Sequence, residues 1–384
     1  MIVEIQGVDY INKGGELMMN AVVQHISSLP GKNVVAAHLR MGSFNNRTKT
    51  GLNHLSWAYY EKAPVVGLVI DNLISWVPKP LRHQFNIVTN SEVQTVLDAS
   101  GFTYSDQQGA AMVEIMAART ERWKQEGKKI VLLPQAFGPF KHKKVRNAFL
   151  KILRNADLVF ARDKVSYDYL IELDLSQNSK IKIAPDFTNL VKGEIPPDFQ
   201  TNPRAFCIVP NYRMLQRTSQ ELKEKYISFL TSCTKYLLNK GLEPFVLIHE
   251  TARDYDLGLQ LQTELGQPLK IIQESNPLYI KGILGSCFMV VGSRFHSLVS
   301  TLSQGTPCLG TGWSHKYEML FEDYNCPECL VSPIDSAEKI HRVLDAIAEE
   351  PGRSDLIRRI EAGSEEQKRL SSAMWAEVDR FIAS

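Results

Sequence analysis

The chain has 384 residues, enough for about two domains rather than one core. Hydrophobic residues make up 44% and charged residues 22%, the balance of an ordinary globular enzyme, and a net charge of +2 argues against a dedicated nucleic-acid binder. No run of about 18 apolar residues is long enough to suggest a membrane-spanning helix.

Strand-like apolar runs alternate with amphipathic helical runs. In chain order the first half offers strands at 2–6, 34–38, 95–97, 130–133, 158–161 and 181–184, with helical patterns at 15–29, 108–125, 143–155 and 164–173. The start Met1-Ile2-Val3-Glu4-Ile5 reads as a first strand, not as a secretory leader. The second half repeats the scheme with strands at 206–209, 244–248, 270–272, 288–291 and 308–309. This alternation predicts an α/β fold with parallel sheets covered by helices. A Pro- and Gly-rich stretch at 192–203 marks the seam.

The predicted architecture is two Rossmann-like domains facing a central cleft, over 1–195 and 204–345. A helical segment at 346–384 crosses back onto the first domain. Residues 40–84 fit the alternation poorly and read as a helical insertion. They carry Trp57, Tyr59, Tyr60 and Trp76, followed by Lys79, Arg82 and His83. An apolar stretch with aromatic and basic flanks, 64–82, suits contact with a membrane surface.

Six cysteines are spread thinly, and in a leaderless cytoplasmic chain they stay reduced. Cys326-Pro-Glu-Cys329 has no second ligand pair at zinc spacing, so two half-buried thiols in a loop are expected, not a metal site.

Four groups of residues fall where strands end and helices begin, the place where open α/β sheets hold ligands. Gly7-Val-Asp9-Tyr-Ile-Asn12-Lys-Gly14-Gly15-Glu16 follows the first strand and lets backbone N–H groups approach an anion. Asp98-Ala-Ser-Gly-Phe-Thr-Tyr104 suits hydrogen bonding to a polyol, or a simple turn. Pro134 to Lys144 ends in a basic cluster, and Arg162-Asp163 follows another strand, with Asp163 as a helix N-cap. In the second half, His249-Glu250, Ser293-Arg294-Phe-His296, Gly305-Thr-Pro307 and Ser314-His-Lys316 end candidate neighbouring strands and converge. A permanent cation and an imidazole one residue apart suit a phosphate- or carboxylate-bearing substrate. The competing reading of that pair is an Arg capped by a carbonyl and a His packed in a core.

With these segments in this order, the chain resembles the polysaccharide pyruvyl transferase family. The resemblance runs over about residues 3–320, through Asn12-Lys-Gly-Gly-Glu16, Asp98-Ala-Ser-Gly-Phe102, Pro134-Gln-Ala-Phe-Gly-Pro139, Arg162-Asp163, Pro185-Asp186 and Ser314-His-Lys316. Its specific part is Gly292-Ser-Arg-Phe-His-Ser297 with Gly305-Thr-Pro307. Phe295 stands where the family usually has Leu, and Ile11 and Glu16 depart from its first glycine loop.

The resemblance implies a fold similar to GT-B glycosyltransferases. It implies transfer of the enolpyruvyl unit of phosphoenolpyruvate to two hydroxyls of a sugar, forming a cyclic ketal and releasing phosphate in exopolysaccharide synthesis. It assigns phosphoenolpyruvate to Arg294, His296 and Lys316; by their own chemistry Arg162 and Ser293 are expected beside them, and His296 is the expected acid. The acceptor, a sugar or a lipid-linked oligosaccharide, is expected near Asp9, Asn12, Asp98, Tyr104 and His249. No metal or cofactor is expected. A GT-B glycosyltransferase using a nucleotide sugar is the alternative. A lipid-linked acceptor would fit a peripheral contact of 64–82 with the inner face of the membrane.

Overall fold

The computed structural model describes residues 1–56 and 64–384, and the side chains of 1–56 and 69–384. Trp57, Tyr59 and Tyr60 lie outside the described residues. The chain divides into two units: Met1–Tyr10, Met18–Phe187 and Ser372–Ser384 form the first, Ile11–Leu17 and Thr188–Ser371 the second. The seam thus falls at Phe187/Thr188, just before the Pro- and Gly-rich stretch, and the first glycine loop is divided, with Gly7–Tyr10 in the first unit and Ile11–Glu16 in the second.

The first unit holds an eight-stranded sheet. Its strands are β1 (Ile2–Gln6), β2 (Val34–His38), β3 (Asn53–Leu55), β4 (Ile87–Val88), β5 (Thr95–Asp98), β6 (Lys129–Gln135), β7 (Leu158–Ala161) and β8 (Ile181–Ile183), in the order β4-β3-β2-β1-β5-β6-β7-β8. Every pairing is parallel. The helices are α1 (Lys13–Ser28), α2 (Phe44–Lys49), α3 (Pro64–Ser75), α4 (Lys79–Gln84), α5 (Ala110–Gln125), α6 (Lys143–Asn155) and α7 (Lys164–Leu173). Parallel strands covered on both faces need apolar side chains on both, which is why runs such as Leu158–Ala161 are buried throughout. Pro134 cannot donate to the ladder, and the β6–β7 register shifts between Leu132 and Gln135 around it.

The reading of 40–84 as a helical insertion is corrected. The segment contributes β3, and β4 follows at once, so the sheet continues through it. The expectation missed β3 because it is three residues long and carries Asn53 and His54, a pattern too short and too polar for period-2 alternation. His54 is held there by the buried Arg47, whose Nε donates to His54 Nδ1 at 3.0 Å.

The second unit holds β9 (Ala205–Val209), β10 (Glu243–Ile248), β11 (Lys270–Gln273), β12 (Met289–Gly292) and β13 (Cys308–Gly310), in the order β11-β10-β9-β12-β13, again all parallel. Its helices are α8 (Arg213–Arg217), α9 (Gln220–Asn239), α10 (Ala252–Leu265), α11 (Pro277–Gly285), α12 (Phe295–Leu302), α13 (His315–Asp323), α14 (Ala337–Ala348) and α15 (Gly352–Ala383). Two Rossmann-like units are therefore present. Cys326 and Cys329 are fully buried here, deeper than the half-buried pair expected from their loop position.

The last helix, α15, serves both units. Arg353 Nη2 donates to Phe288 O at 3.0 Å and Ser364 Oγ to Ser303 O at 2.8 Å, both within the second unit. Its final turns belong to the first unit. There the Trp375 ring stacks on His25 at 4.0 Å and meets Phe187 edge-on at 5.6 Å, while Asp379 accepts from or bonds to His25 Nε2 at 2.8 Å. Trp375 is 3% exposed. Trp375→Ala removes this plug and should cost about 3–5 kcal/mol, read as a lower urea midpoint. An unchanged midpoint would mean that the helix end contributes nothing to the first unit.

Candidate functional site

In the second unit β9 is laid down first, β10 and β11 extend to one side, and the chain then returns to place β12 on the other. The order reverses between β9 and β12, and ligands in such sheets bind at the carboxyl ends on either side of that reversal. The segments there are Pro210–Arg213 and Ser293–His296, with His249–Thr251 after β10.

Ser293 is the pin. Its carbonyl accepts from Asn211 Nδ2 at 2.7 Å and from the Tyr317 hydroxyl at 3.1 Å, and its own hydroxyl is bonded to that of Tyr226. Ser293 is fully buried, so its side chain braces the loop and is not presented to a ligand. Arg294 follows as the N-cap of α12, its side chain turned into the unit. One Nη pairs with Glu250 and the other with Asp254 Oδ2 at 2.5 Å. Asp254 is itself fully buried and also accepts from the Tyr212 and Thr251 amides at 2.8 and 3.2 Å. Arg294 is thus a cation already met by two carboxylates, where isolated residues had suggested an open anion ligand. Only its Nε is buried with no hydrogen-bond partner among the described residues.

His296 sits on the first turn of α12. A Cβ on Gly14 would fall 2.1 Å from the His296 Nδ1, so only glycine allows the start of α1 to lie against the imidazole. This places the first glycine loop, by its own backbone, at His296. Asn12 caps that helix: its Oδ1 accepts from the Gly14 and Gly15 amides at 2.9 and 3.3 Å. Lys13 pairs with Glu16 at 2.6 Å and, with His249, Glu250 and Glu274, lines a cavity of about 450 Å³. The Lys316 ammonium lies 5.0 Å from the Phe295 ring, 5.7 Å from Trp313 and 5.5 Å from Tyr317.

His249 is buried, and burial holds it well below the usual imidazole range, reinforced by the positive charge of Arg294, His296 and Lys13. It is a neutral imidazole inside a cationic group of residues. Sequence reading missed three members of this group: Glu250 and Asp254 as partners of Arg294, and Lys13 beside His249. No sequence signal connects Glu250 with Arg294, because only the adjacency of β10, β9 and β12 brings them together.

In the first unit the corresponding reversal lies between β1 and β5. Gly7 (φ +77) passes so close to Ser100 that a Cβ would lie 2.6 Å from its backbone. Asp98 is 2% and Tyr104 0% exposed. The Tyr104 and Ser100 hydroxyls both donate to the Asp98 carboxylate, as does the Ser100 amide at 3.0 Å. Burial pushes the Asp98 carboxyl up and the Tyr104 phenol well up. These two side chains brace the loop against Gly7 and do not face solvent, a revision of their reading as an open polyol site. Asp9 is exposed. Arg162 is buried and pairs with Asp186 at 3.3 Å, and Asp163 caps α7 by accepting from the Ser166 amide at 2.7 Å, as its position after a strand suggested. Among the described residues, no group of three or more His, Cys, Asp or Glu side chains is arranged to hold a metal ion.

The family model for polysaccharide pyruvyl transferase matches residues 12–315. The chain belongs to that family. The match begins at Asn12 and takes in Arg294, His296 and the first residue of α13, so the residues just described lie inside it or at its edge. Solved structures share the fold at low identity. A glycosyltransferase from Rickettsia africae ESF-5 has 14% identity and a TM-score of 0.59, with 100% of this chain and 98% of that one covered. A protein described as a UDP-N-acetylglucosamine 2-epimerase from Listeria monocytogenes has 11% identity and a TM-score of 0.63, with coverages of 99% and 96%. Anabaena Alr3699/HepE, solved in complex with UDP-glucose, has 14% identity and a TM-score of 0.60, with 98% of each chain covered. At these identities the likeness is one of fold, that of GT-B glycosyltransferases and epimerases.

The neutral His249 has a consequence for stability. Its folded value lies below the ordinary 6.5, so below about pH 6.5 the unfolded chain takes up a proton that the folded unit refuses. Its contribution is intact above that range and is lost as the pH falls, at up to about 1.4 kcal/mol per pH unit. His249→Gln should flatten the decline in urea stability between pH 6.5 and 5.5 by about that amount. An identical decline in both proteins would mean that His249 is charged when folded.

Proposed function

We propose that the protein is a phosphoenolpyruvate-dependent ketal pyruvyl transferase acting on a sugar in cell-surface or exopolysaccharide synthesis. The observation that carries this reading is that Arg294 and His296 lie at the strand-order reversal and inside the family match, with His296 and Lys316 both against the Phe295 ring. Phosphoenolpyruvate brings a phosphate and a carboxylate. The Lys316 ammonium, held over three rings, supplies a positioned cation for one of them. Arg294, with two of its nitrogens on carboxylates, acts by fixing the loop that carries His296.

His296 delivers a proton to the methylene carbon of the donor, leaving an oxocarbenium-like centre at C2. One sugar hydroxyl attacks C2 and loses its proton. The C2–O bond to phosphate breaks, and inorganic phosphate departs with the bonding pair. The second hydroxyl then closes the ketal and gives up its proton. Protonation by a positioned acid is worth about 10²–10⁴-fold, and the surrounding cations stabilise the leaving phosphate. On the acceptor side, Asn12 and His249 of the second unit are the proposed contacts. The scheme calls for no metal or cofactor.

Calorimetric titration with phosphoenolpyruvate, beside UDP and GDP, tests this reading. Phosphoenolpyruvate should bind the native chain, and Lys316→Ala should weaken it about tenfold. His296→Gln should bind within a few-fold yet lose about 10²–10⁴ in turnover. Gly14→Ala, which pushes a methyl group into the imidazole, should share the turnover defect. Binding of UDP or GDP with no phosphoenolpyruvate signal would move the protein to nucleotide-sugar transfer. Arg294→Ala is a poor probe, because it strands two buried carboxylates.

The acceptor in this reading is lipid-linked, and α3 and α4 meet the membrane surface that holds it. Val69 and Leu73 on α3 and Trp76 just past its end recur at helical spacing and are all exposed, Trp76 at 83%; Leu81 on α4 and Phe85 at its C-cap are exposed apolar residues as well. Lys79 and His83 flank them, and an exposed Trp beside basic residues suits the headgroup region. Among the described residues no helix is long and apolar enough to cross a membrane. The protein should co-sediment with vesicles of phosphatidylcholine and phosphatidylglycerol, and Trp76→Ser with Phe85→Ser should release it. Failure of the native protein to sediment would remove the surface contact and leave the transfer chemistry standing.

A further inference from the structure

A second cavity opens at the carboxyl ends of β9 and β10, with a volume of about 260 Å³. Tyr212, Arg213, Thr251, Ala252, Arg253 and Arg294 line it, and His249, His296 and Lys316 do not. Three guanidinium groups thus border one small space. Arg294 is 8% exposed, its two Nη atoms are taken by Glu250 and Asp254, and its Nε is buried without a partner among the described residues. The other two make contacts with uncharged groups. Arg213 donates to Gln216 Oε1 at 3.0 Å, and the Arg253 guanidinium lies 4.8 Å from the Tyr212 ring centroid.

The backbone adds to the positive field. The 14-residue α10 begins at this cavity, with Thr251 as N-cap. Thr251 and Asp254 form a capping box that satisfies the Thr251 and Asp254 amides. The Ala252 and Arg253 amides of the first turn have no acceptor four residues back within the helix. A helix start with free amides, two arginines in contact with neutral groups and a buried arginine edge together match a tetrahedral oxyanion. The volume is below the 300–1,000 Å³ of a site that encloses a whole small molecule. It suits a phosphoryl or diphosphoryl group whose remainder lies outside.

We propose that the Arg213–Arg253–Arg294 cavity is a second anion subsite, which holds the diphosphate of the sugar acceptor while phosphoenolpyruvate occupies the His296–Lys316 side. The cavity as an anion site stands on its own residues; its assignment to the acceptor rests on the pyruvyl-transfer reading. Two sources of acceptor diphosphate share this chemistry, a prenyl-linked sugar and a nucleotide-linked sugar.

The test is calorimetry on the full chain, with inorganic pyrophosphate titrated in the absence and presence of saturating phosphoenolpyruvate. Pyrophosphate should bind in both cases. Arg213→Gln with Arg253→Gln should weaken it at least tenfold and change phosphoenolpyruvate affinity less than threefold. Both arginines are exposed, so the variant should keep the native melting temperature. Geranyl diphosphate and UDP, titrated in parallel, distinguish the lipid from the nucleotide source by which one binds more tightly than pyrophosphate. Competition between pyrophosphate and phosphoenolpyruvate for one site would overturn the proposal, as would pyrophosphate binding that the double variant leaves unchanged, or none at all. If pyrophosphate binds as expected and phosphoenolpyruvate gives no signal, the subsite stands and the pyruvyl-transfer reading falls.

Discussion

A guanidinium taken out of water must be met by carboxylates, and Arg294 is met by two. Glu250 follows β10 and Asp254 lies in the first turn of α10, so this contact ties the ends of β10 and β12 together across the intervening β9. Ser293, one residue earlier, is clamped by Asn211, Tyr226 and Tyr317. Between them these bonds fix where α12 begins, and therefore where His296 stands. Removing either side of such a buried pair costs far more than the pair contributes. The arrangement is therefore a device for position more than for stability.

The same cluster sets the electrostatics. Glu250 and Asp254 absorb the charge of Arg294, as Glu16 does that of Lys13, so the positive field at the sheet edge comes from Lys316, Arg213 and Arg253 together with two helix starts. His249 sits among these charges in a buried position and stays neutral. A site with neutral and cationic donors side by side can hold a multiply charged anion and still offer an uncharged hydrogen-bonding group to a hydroxyl. The glycine loop at the start of α1 completes it, since Gly14, having no Cβ, lets the backbone lie on the His296 ring.

Much of this is legible in the sequence for an identifiable reason. Parallel strands buried on both faces leave continuous apolar runs, so β1, β2, β6, β7, β9, β10 and β12 stand out in the chain. The breaks after them mark the site loops, and Asp163 is recognisable as a helix cap because capping is local. β3 was hidden by its length and its Asn53 and His54. Asp98 and Tyr104 look like free polar groups in a turn, and only the packing of Gly7 against Ser100 shows them to be braces.

The sequence by itself determined the element types, the family and the list of chemically able residues, because periodicity, caps and motifs are read from neighbours within a few positions. Tertiary structure alone decided which of those residues are engaged. Arg294 and Glu250 are 44 positions apart, and Gly14 and His296 far more. Whether a charge is open or paired, and whether a glycine is needed, depends on what strand order places beside it, which no local pattern encodes.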